Sequence, residues 1–134
     1  HGADGLDDFL ARTEILIALM PLTDNTRGIL NASLFAKLPK GAGLINAGRG
    51  GLQIEADIIM ALDAGQLSEA VLDVFSTEPL PTDNPLWTHP KVTITPHNAA
   101  LTGSSTGARE VAANLKRVLA GAQPHNIVNP NAGY

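Results

Sequence analysis

The sequence predicts an α/β fold, a doubly wound type of parallel sheet with about four strands joined by crossover helices. Three observations carry this. Short apolar runs with the length and β-branched content of buried parallel strands recur at Leu44-Ile45-Asn46-Ala47, Val71-Leu72-Asp73-Val74-Phe75 and Val92-Thr93-Ile94-Thr95. Between them stand segments with apolar residues at helical spacing. Each run also leads into a residue able to do chemistry: Arg49, Glu78 and His97 respectively. Such positions line the crevice where open α/β sheets bind ligands.

Taken in order, Leu6, Phe9 and Leu10 give a helix of one or two turns. Residues 14–20 read as a buried strand closed by Pro21. Asn31 suits the N-cap of a short helix over 32–38, which Pro39 and Gly41 end. Residues 42–47 form the next strand, and Ile54, Ile58, Ile59 and Leu62 a helix that stops at Gly65. A third strand is expected over 70–75 and a fourth over 92–95. The stretch 77–90 holds four of the nine prolines and reads as a structured loop. Val111, Leu115, Val118 and Leu119 stripe a last helix over 107–119, and 123–134 is loop-like. The first strand would leave an unpaired apolar edge. With His1 in place of a methionine, this suggests that another half of the domain lies elsewhere.

Composition narrows the function classes. A chain of 134 residues fits one domain with a real core. Hydrophobic residues at 44% and charged residues at 16% exclude a disordered chain. A net charge of −4 argues against nucleic-acid and anionic-membrane partners. The absence of cysteine excludes disulfides and thiolate metal sites, and no metal is expected. No apolar run reaches the roughly 18 residues of a membrane helix, and no secretory signal is present. A soluble, cytoplasmic protein is the expectation.

Arg49 lies in Gly48-Arg49-Gly50-Gly51, where small neighbours let a ligand approach the backbone and a guanidinium can hold a carboxylate by two parallel hydrogen bonds. His97 follows Thr95-Pro96 at a strand end and suits proton transfer near neutral pH. His1, His89 and His125 read as loop or satisfied core residues. Glu78, before Pro79, is a solvated glutamate unless it meets His97, where it would stabilise the imidazolium and fix the tautomer. Asp73 interrupts an apolar run, so it needs a donor: a ligand amide or a backbone cap. Pro21-Leu22-Thr23-Asp24-Asn25-Thr26 can border a cofactor or be a simple turn. No Gly-x-Gly-x-x-Gly occurs, so the phosphate turn of a dinucleotide domain is not in this sequence.

Together the segments resemble the D-isomer-specific 2-hydroxyacid dehydrogenases. The matching residues run in order through Met20-Pro21-Leu22-Thr23, Thr26-Arg27-Gly28-Ile29, Leu38-Pro39-Lys40-Gly41, Ile45-Asn46-Ala47-Gly48-Arg49-Gly50, Glu55-Ala56-Asp57, Ala61-Leu62, Leu72-Asp73-Val74-Phe75, Glu78-Pro79-Leu80-Pro81 and Thr95-Pro96-His97. Asn84-Pro85-Leu86-Trp87-Thr88-His89-Pro90 and the terminal Gly133-Tyr134 are most similar to the glyoxylate/hydroxypyruvate reductase A branch.

The resemblance implies the C-terminal half of a Rossmann-type sheet. Residues 1–104 would be the second half of an NAD(P)-binding domain, and 105–134 a helix and tail returning to a substrate domain. It implies NAD or NADP, with NADPH favoured, a small 2-oxo acid as substrate, and a homodimer when full length. Arg49 would hold the acid, His97 would protonate its carbonyl oxygen, and Glu78 would keep His97 protonated. Asp73 would accept from the carboxamide, and Pro21, Thr26, Ala47 and Ala99 would lie along the cofactor. Trp87 would shape the substrate pocket or be an ordinary buried tryptophan. Asn98 stands where the family more often has an apolar residue, and Glu78 departs from the glutamine of formate dehydrogenases. A phosphoglycerate dehydrogenase-like enzyme and a co-repressor-like binding protein on the same scaffold are the alternatives. The isolated 134 residues are expected to be inert.

Overall fold

A computed structural model describes residues 5–100 and 102–129. His1, Gly133 and Tyr134, which entered the sequence reading, lie outside the described residues. The chain divides into two compact units, 1–99 and 100–134.

The first unit holds a four-stranded sheet in the order β1-β2-β3-β4, all parallel: β1 is Ile15–Ala18, β2 Ala42–Asn46, β3 Leu67–Leu72 and β4 Val92–Ile94. Three helices, α1 (Leu6–Leu10), α2 (Ala32–Phe35) and α3 (Glu55–Asp63), connect or flank the strands. Register sorts the side chains into rows. Leu16, Leu44, Ala70 and Val92 are mutual partners, as are Ala18, Asn46, Leu72 and Ile94. These rows pack with Leu10, Leu34, Phe35, Ile58 and Leu62 into one core. The alternate row, Ile17, Ile45, Val71 and Thr93, lies on the opposite face, where Ile15 and Ile17 are exposed. β1 is an edge strand, and its outer face carries apolar residues, as the unpaired-edge expectation had it.

Element ends differ from the sequence reading for identifiable reasons. Asn31 does cap α2, accepting from Leu34 N–H at 3.1 Å, but the helix closes at Phe35. The Gln66 side chain then takes the Phe35 and Leu38 carbonyls at 2.8 and 3.0 Å, satisfying the helix end without another turn. β3 starts three residues before the expected 70 and ends at Leu72, so Asp73, Val74 and Phe75 follow the strand. Two short 3-10 turns, Gly50–Leu52 and Pro85–Trp87, had no periodic signal. Asn84 caps the second, accepting from Leu86 N–H at 2.9 Å.

In the second unit, α4 runs over Ser104–Leu119, three residues longer at its start than expected. Its tail is fastened locally, with Asn114 Oδ1 accepting from His125 N–H at 2.7 Å. Among the described residues no helix is long and apolar enough to cross a membrane.

Candidate active site

Three strand ends in the first unit bring the predicted residues to one edge of the sheet. At the end of β4, His97 adopts φ +51°, a left-handed conformation that histidine enters more readily than most residues. Its turn is held from β3. Asp73, 4% exposed, accepts from Thr95 Oγ1, from Asn98 N–H at 3.0 Å and from Ala99 N–H at 2.9 Å. The buried carboxylate therefore caps the two amides that follow His97, and of the two readings of Asp73 the backbone cap is present. Among the described residues Oδ2 accepts one of these bonds, which leaves it an acceptor position. Burial pushes the Asp73 carboxyl up, but the Thr95, Ala99 and Asn98 hydrogen bonds and the charge of His97 outweigh it and hold it below its usual range.

Glu78 meets His97 directly, with Oε2 2.8 Å from Nδ1. Its Oε1 accepts from Phe75 N–H at 2.8 Å. The His97 hydrogen bond, then that of Phe75, lowers the Glu78 carboxyl against burial and the repulsion of Asp73. The loop carrying Glu78 is pinned by Glu55, at the start of α3. Glu55 Oε1 accepts from Ser76 N–H and Oε2 from Asn84 Nδ2, both at 3.0 Å.

A cavity of about 590 Å³ opens beside this pair, bordered by Asp73, Glu78, Leu80, Trp87, Ile94 and His97 among others. Trp87 is half-exposed, with its indole N–H donating to Pro81 O at 2.9 Å, so it lines the cavity and is not a core tryptophan.

Arg49 is not among the cavity-lining residues. It follows β2 in an exposed position, with Nη1 donating to Gly48 O at 2.7 Å. Its backbone is fixed by close packing: a Cβ on Gly50 would sit 1.8 Å from the Phe75 carbonyl oxygen. The Arg49 turn thus abuts the segment that leads to Glu78.

The remaining expected residues are placed less tellingly. Thr26 Oγ1 accepts from Thr23 N–H at 2.8 Å and donates to Pro21 O at 2.7 Å, which closes a polar turn at the end of β1. Ala47 donates to Ala18 O at 3.2 Å and is half-buried, while Ala99 is exposed. His89 is satisfied by Asp63 at 3.3 Å and by Lys91 N–H at 3.2 Å, as a structural histidine should be.

Sequence reasoning matched Thr95, Glu55 and Asn46 to family motifs but gave no role to them or to Gln53. Asn46 and Gln53 are buried amides in apolar surroundings. The rule that singled out Asp73, a polar residue inside an apolar run, applies equally to Asn46 in Leu44-Ile45-Asn46-Ala47.

The geometry has clear counterparts. The family description "D-isomer specific 2-hydroxyacid dehydrogenase, NAD binding domain" matches residues 1–99. The chain belongs to the D-isomer specific 2-hydroxyacid dehydrogenase family. Its sheet is the Rossmann-like α/β sheet of that family's NAD binding domain. A glyoxylate/hydroxypyruvate reductase A from Serratia proteamaculans is 48% identical over 133 residues, covering 99% of this chain and 42% of that protein. The chain therefore spans less than half the length of the curated relative. Among solved structures, a D-isomer specific 2-hydroxyacid dehydrogenase from Xanthobacter autotrophicus, in complex with NADPH and MES, superposes with a TM-score of 0.95 at 45% identity. That match covers 100% of this chain and 55% of the other. An NADPH-dependent glyoxylate/hydroxypyruvate reductase from Sinorhizobium meliloti, with NADP and sulfate, gives 0.93 at 45% identity, over 100% of this chain and 44% of that one.

Proposed function

We propose that the full-length protein containing this chain reduces a small 2-oxo acid, glyoxylate or hydroxypyruvate, to the D-2-hydroxy acid with NADPH or NADH. The observation that carries the reading is the 2.8 Å Glu78–His97 contact in the wall of a cavity. The reductase relatives support the substrate class, and their NADPH and NADP complexes support that cofactor.

The residues present suit a nicotinamide. Asp73 borders the cavity, and Oδ2, with one hydrogen bond among the described residues, would have an acceptor position for a carboxamide N–H. Ala47 and Gly48 offer small residues at the end of β2, beside Pro21 and Thr26 at the end of β1. A bound reduced nicotinamide would supply the hydride.

The chain's own residues do the rest. Arg49 would leave the Gly48 carbonyl and take the substrate carboxylate through two parallel hydrogen bonds. Glu78 occupies the Nδ1 side of His97, so Nε2 is the atom that would give its proton to the carbonyl oxygen. Glu78, ionised at neutral pH, would stabilise the imidazolium and fix the ring. In the oxidative direction His97 would act as base. Trp87 and Leu80 would bound the space for the acid's side chain.

The same reading includes a homodimeric, cytoplasmic full-length protein. It also makes the 134 residues inert when isolated, because they carry no Gly-x-Gly-x-x-Gly turn. The test is steady-state turnover of the full-length protein on a panel of 2-oxo acids with each reduced nicotinamide. Turnover of glyoxylate or hydroxypyruvate is expected. Inactivity on the whole panel, together with capture of a peptide ligand, would replace the enzyme by a co-repressor-like binding protein.

A further inference from the structure

Asn46 and Gln53 stand outside the acid–base set, yet they are among its most buried polar neighbours, at 0% and 2% exposure. A buried amide is costly unless its polar atoms are bonded, and an apolar side chain of similar size would fill the same space without that cost. Packing does not require glutamine at 53. Its bonds indicate what it does.

Asn46 Nδ2 donates to Arg49 O at 3.2 Å and to Gln53 Oε1 at 2.8 Å, while Asn46 Oδ1 accepts from Gly48 N–H at 3.1 Å. Gln53 Nε2 in turn donates to Val74 O at 3.0 Å. The Val74 carbonyl and the Phe75 N–H belong to one peptide group, and that N–H is the donor that holds Glu78 Oε1 at 2.8 Å. The other carboxylate oxygen of Glu78 is on His97. A continuous hydrogen-bonded path therefore runs from the Arg49 carbonyl through Asn46, Gln53 and a single peptide group to Glu78 and His97. A donor on the carbonyl end of a peptide polarises it and strengthens its N–H as a donor.

We infer that Gln53, supported by Asn46, is a positioning residue that fixes Arg49 and the Glu78–His97 pair relative to each other. It rests on the functional reading above, in which the substrate bridges the two: its carboxylate on Arg49 and its carbonyl oxygen at His97. A substrate held at both ends is sensitive to their separation, which neither end sets by itself.

The experiment is a double-mutant cycle of Gln53→Met and Glu78→Gln in the full-length protein, with glyoxylate and NADPH each varied up to saturation. Gln53→Met is expected to lower kcat about tenfold while leaving the KM for NADPH within about twofold. In the Glu78→Gln background the same change is expected to cost less than about twofold, because the carboxylate that the path holds against His97 is already gone. A purely structural glutamine would lower the melting temperature and leave the kinetics of the folded protein unchanged. That result, or losses that multiply independently, overturns the inference. Asn46→Ser leaves room for a water, guards against a misfolded Gln53→Met, and is expected to repeat the pattern at about threefold. Unchanged kinetics in Asn46→Ser count against the inference as well. If Glu78→Gln itself leaves glyoxylate reduction unchanged, the functional reading fails and this inference goes with it. If Glu78→Gln is slow and the losses multiply, the reading stands and only the inference falls.

Discussion

The turn that carries Arg49 and the corner that carries Glu78 and His97 share one edge of the sheet but are held by different means. The Arg49 turn is fixed by neutral groups. Asn46 bonds its backbone at Arg49 O and Gly48 N–H, Gln53 backs Asn46, and Gly50 fits against the Phe75 carbonyl with no room for a side chain. The His97 corner is fixed by charges. Asp73 caps the Asn98 and Ala99 amides, and Glu78 ties His97 to Phe75 N–H. A neutral, close-packed device is indifferent to pH and intolerant of added volume. A carboxylate device tolerates changes of size at its rim and depends on ionisation. The Arg49 turn therefore keeps its shape across pH, and the Glu78–His97 corner carries the pH dependence.

The largest effect should come from adding volume to the neutral side. Gly50→Ala drives a methyl into the Phe75 backbone carbonyl, and should destabilise the full-length protein by more than about 3 kcal/mol in urea titrations. A loss below about 1 kcal/mol would show the turn to be pliable and blur the contrast. Next, Asp73→Ala removes the partner of three donors in the His97 turn. It should lower kcat/KM about 100-fold and stability by roughly 1–3 kcal/mol. Asp73→Asn keeps the shape but can place an amide NH₂ against backbone N–H donors, so it should rescue little.

The third prediction concerns acid. Asp73 and Glu78 are held below their ordinary values of 3.8 and 4.5. The folded state then binds these protons less readily than the unfolded chain. The stability they contribute is complete above the ordinary values and is lost as pH falls through them toward the lowered ones. Urea midpoints of the full-length protein measured between about pH 6 and pH 3 should decline on the acid side, and less steeply in Glu78→Gln. An unaltered slope in that variant would remove Glu78 from the charged device. The smallest effect is expected from Trp87→Phe, which keeps an aromatic cavity wall and loses only the bond to Pro81 O. It should change KM for hydroxypyruvate by about threefold or less and leave kcat near wild type.

Much of this architecture was legible in the residues. β-branched runs and helical spacing gave the parallel sheet and its order of elements, and Asn31 marked the start of α2. The pairing of His97 with Glu78 is legible on chemical grounds alone, because a glutamate beside a histidine stabilises its imidazolium and fixes its tautomer. Asp73 was recognisable as needing a donor, while the identity of that donor required the fold. The Asn98 and Ala99 amides lie 25 and 26 residues away in sequence. The 3-10 turns and the early start of β3 were illegible because neither leaves a hydrophobic period. The Asn46–Gln53 network escaped for a different reason. Asn46 carries the same signal as Asp73, but the network's outer partners are the Arg49 and Val74 carbonyls and the Gly48 N–H, backbone groups that no sequence pattern marks.

The most direct measurement is the single-turnover rate of glyoxylate reduction at saturating NADPH, in the full-length wild type and in His97→Asn. The Glu78–His97 pair acting as the proton donor predicts a competent wild type and a loss of about 100-fold or more in the variant. A variant rate within about threefold of wild type would place the acid elsewhere and contradict the role assigned to His97.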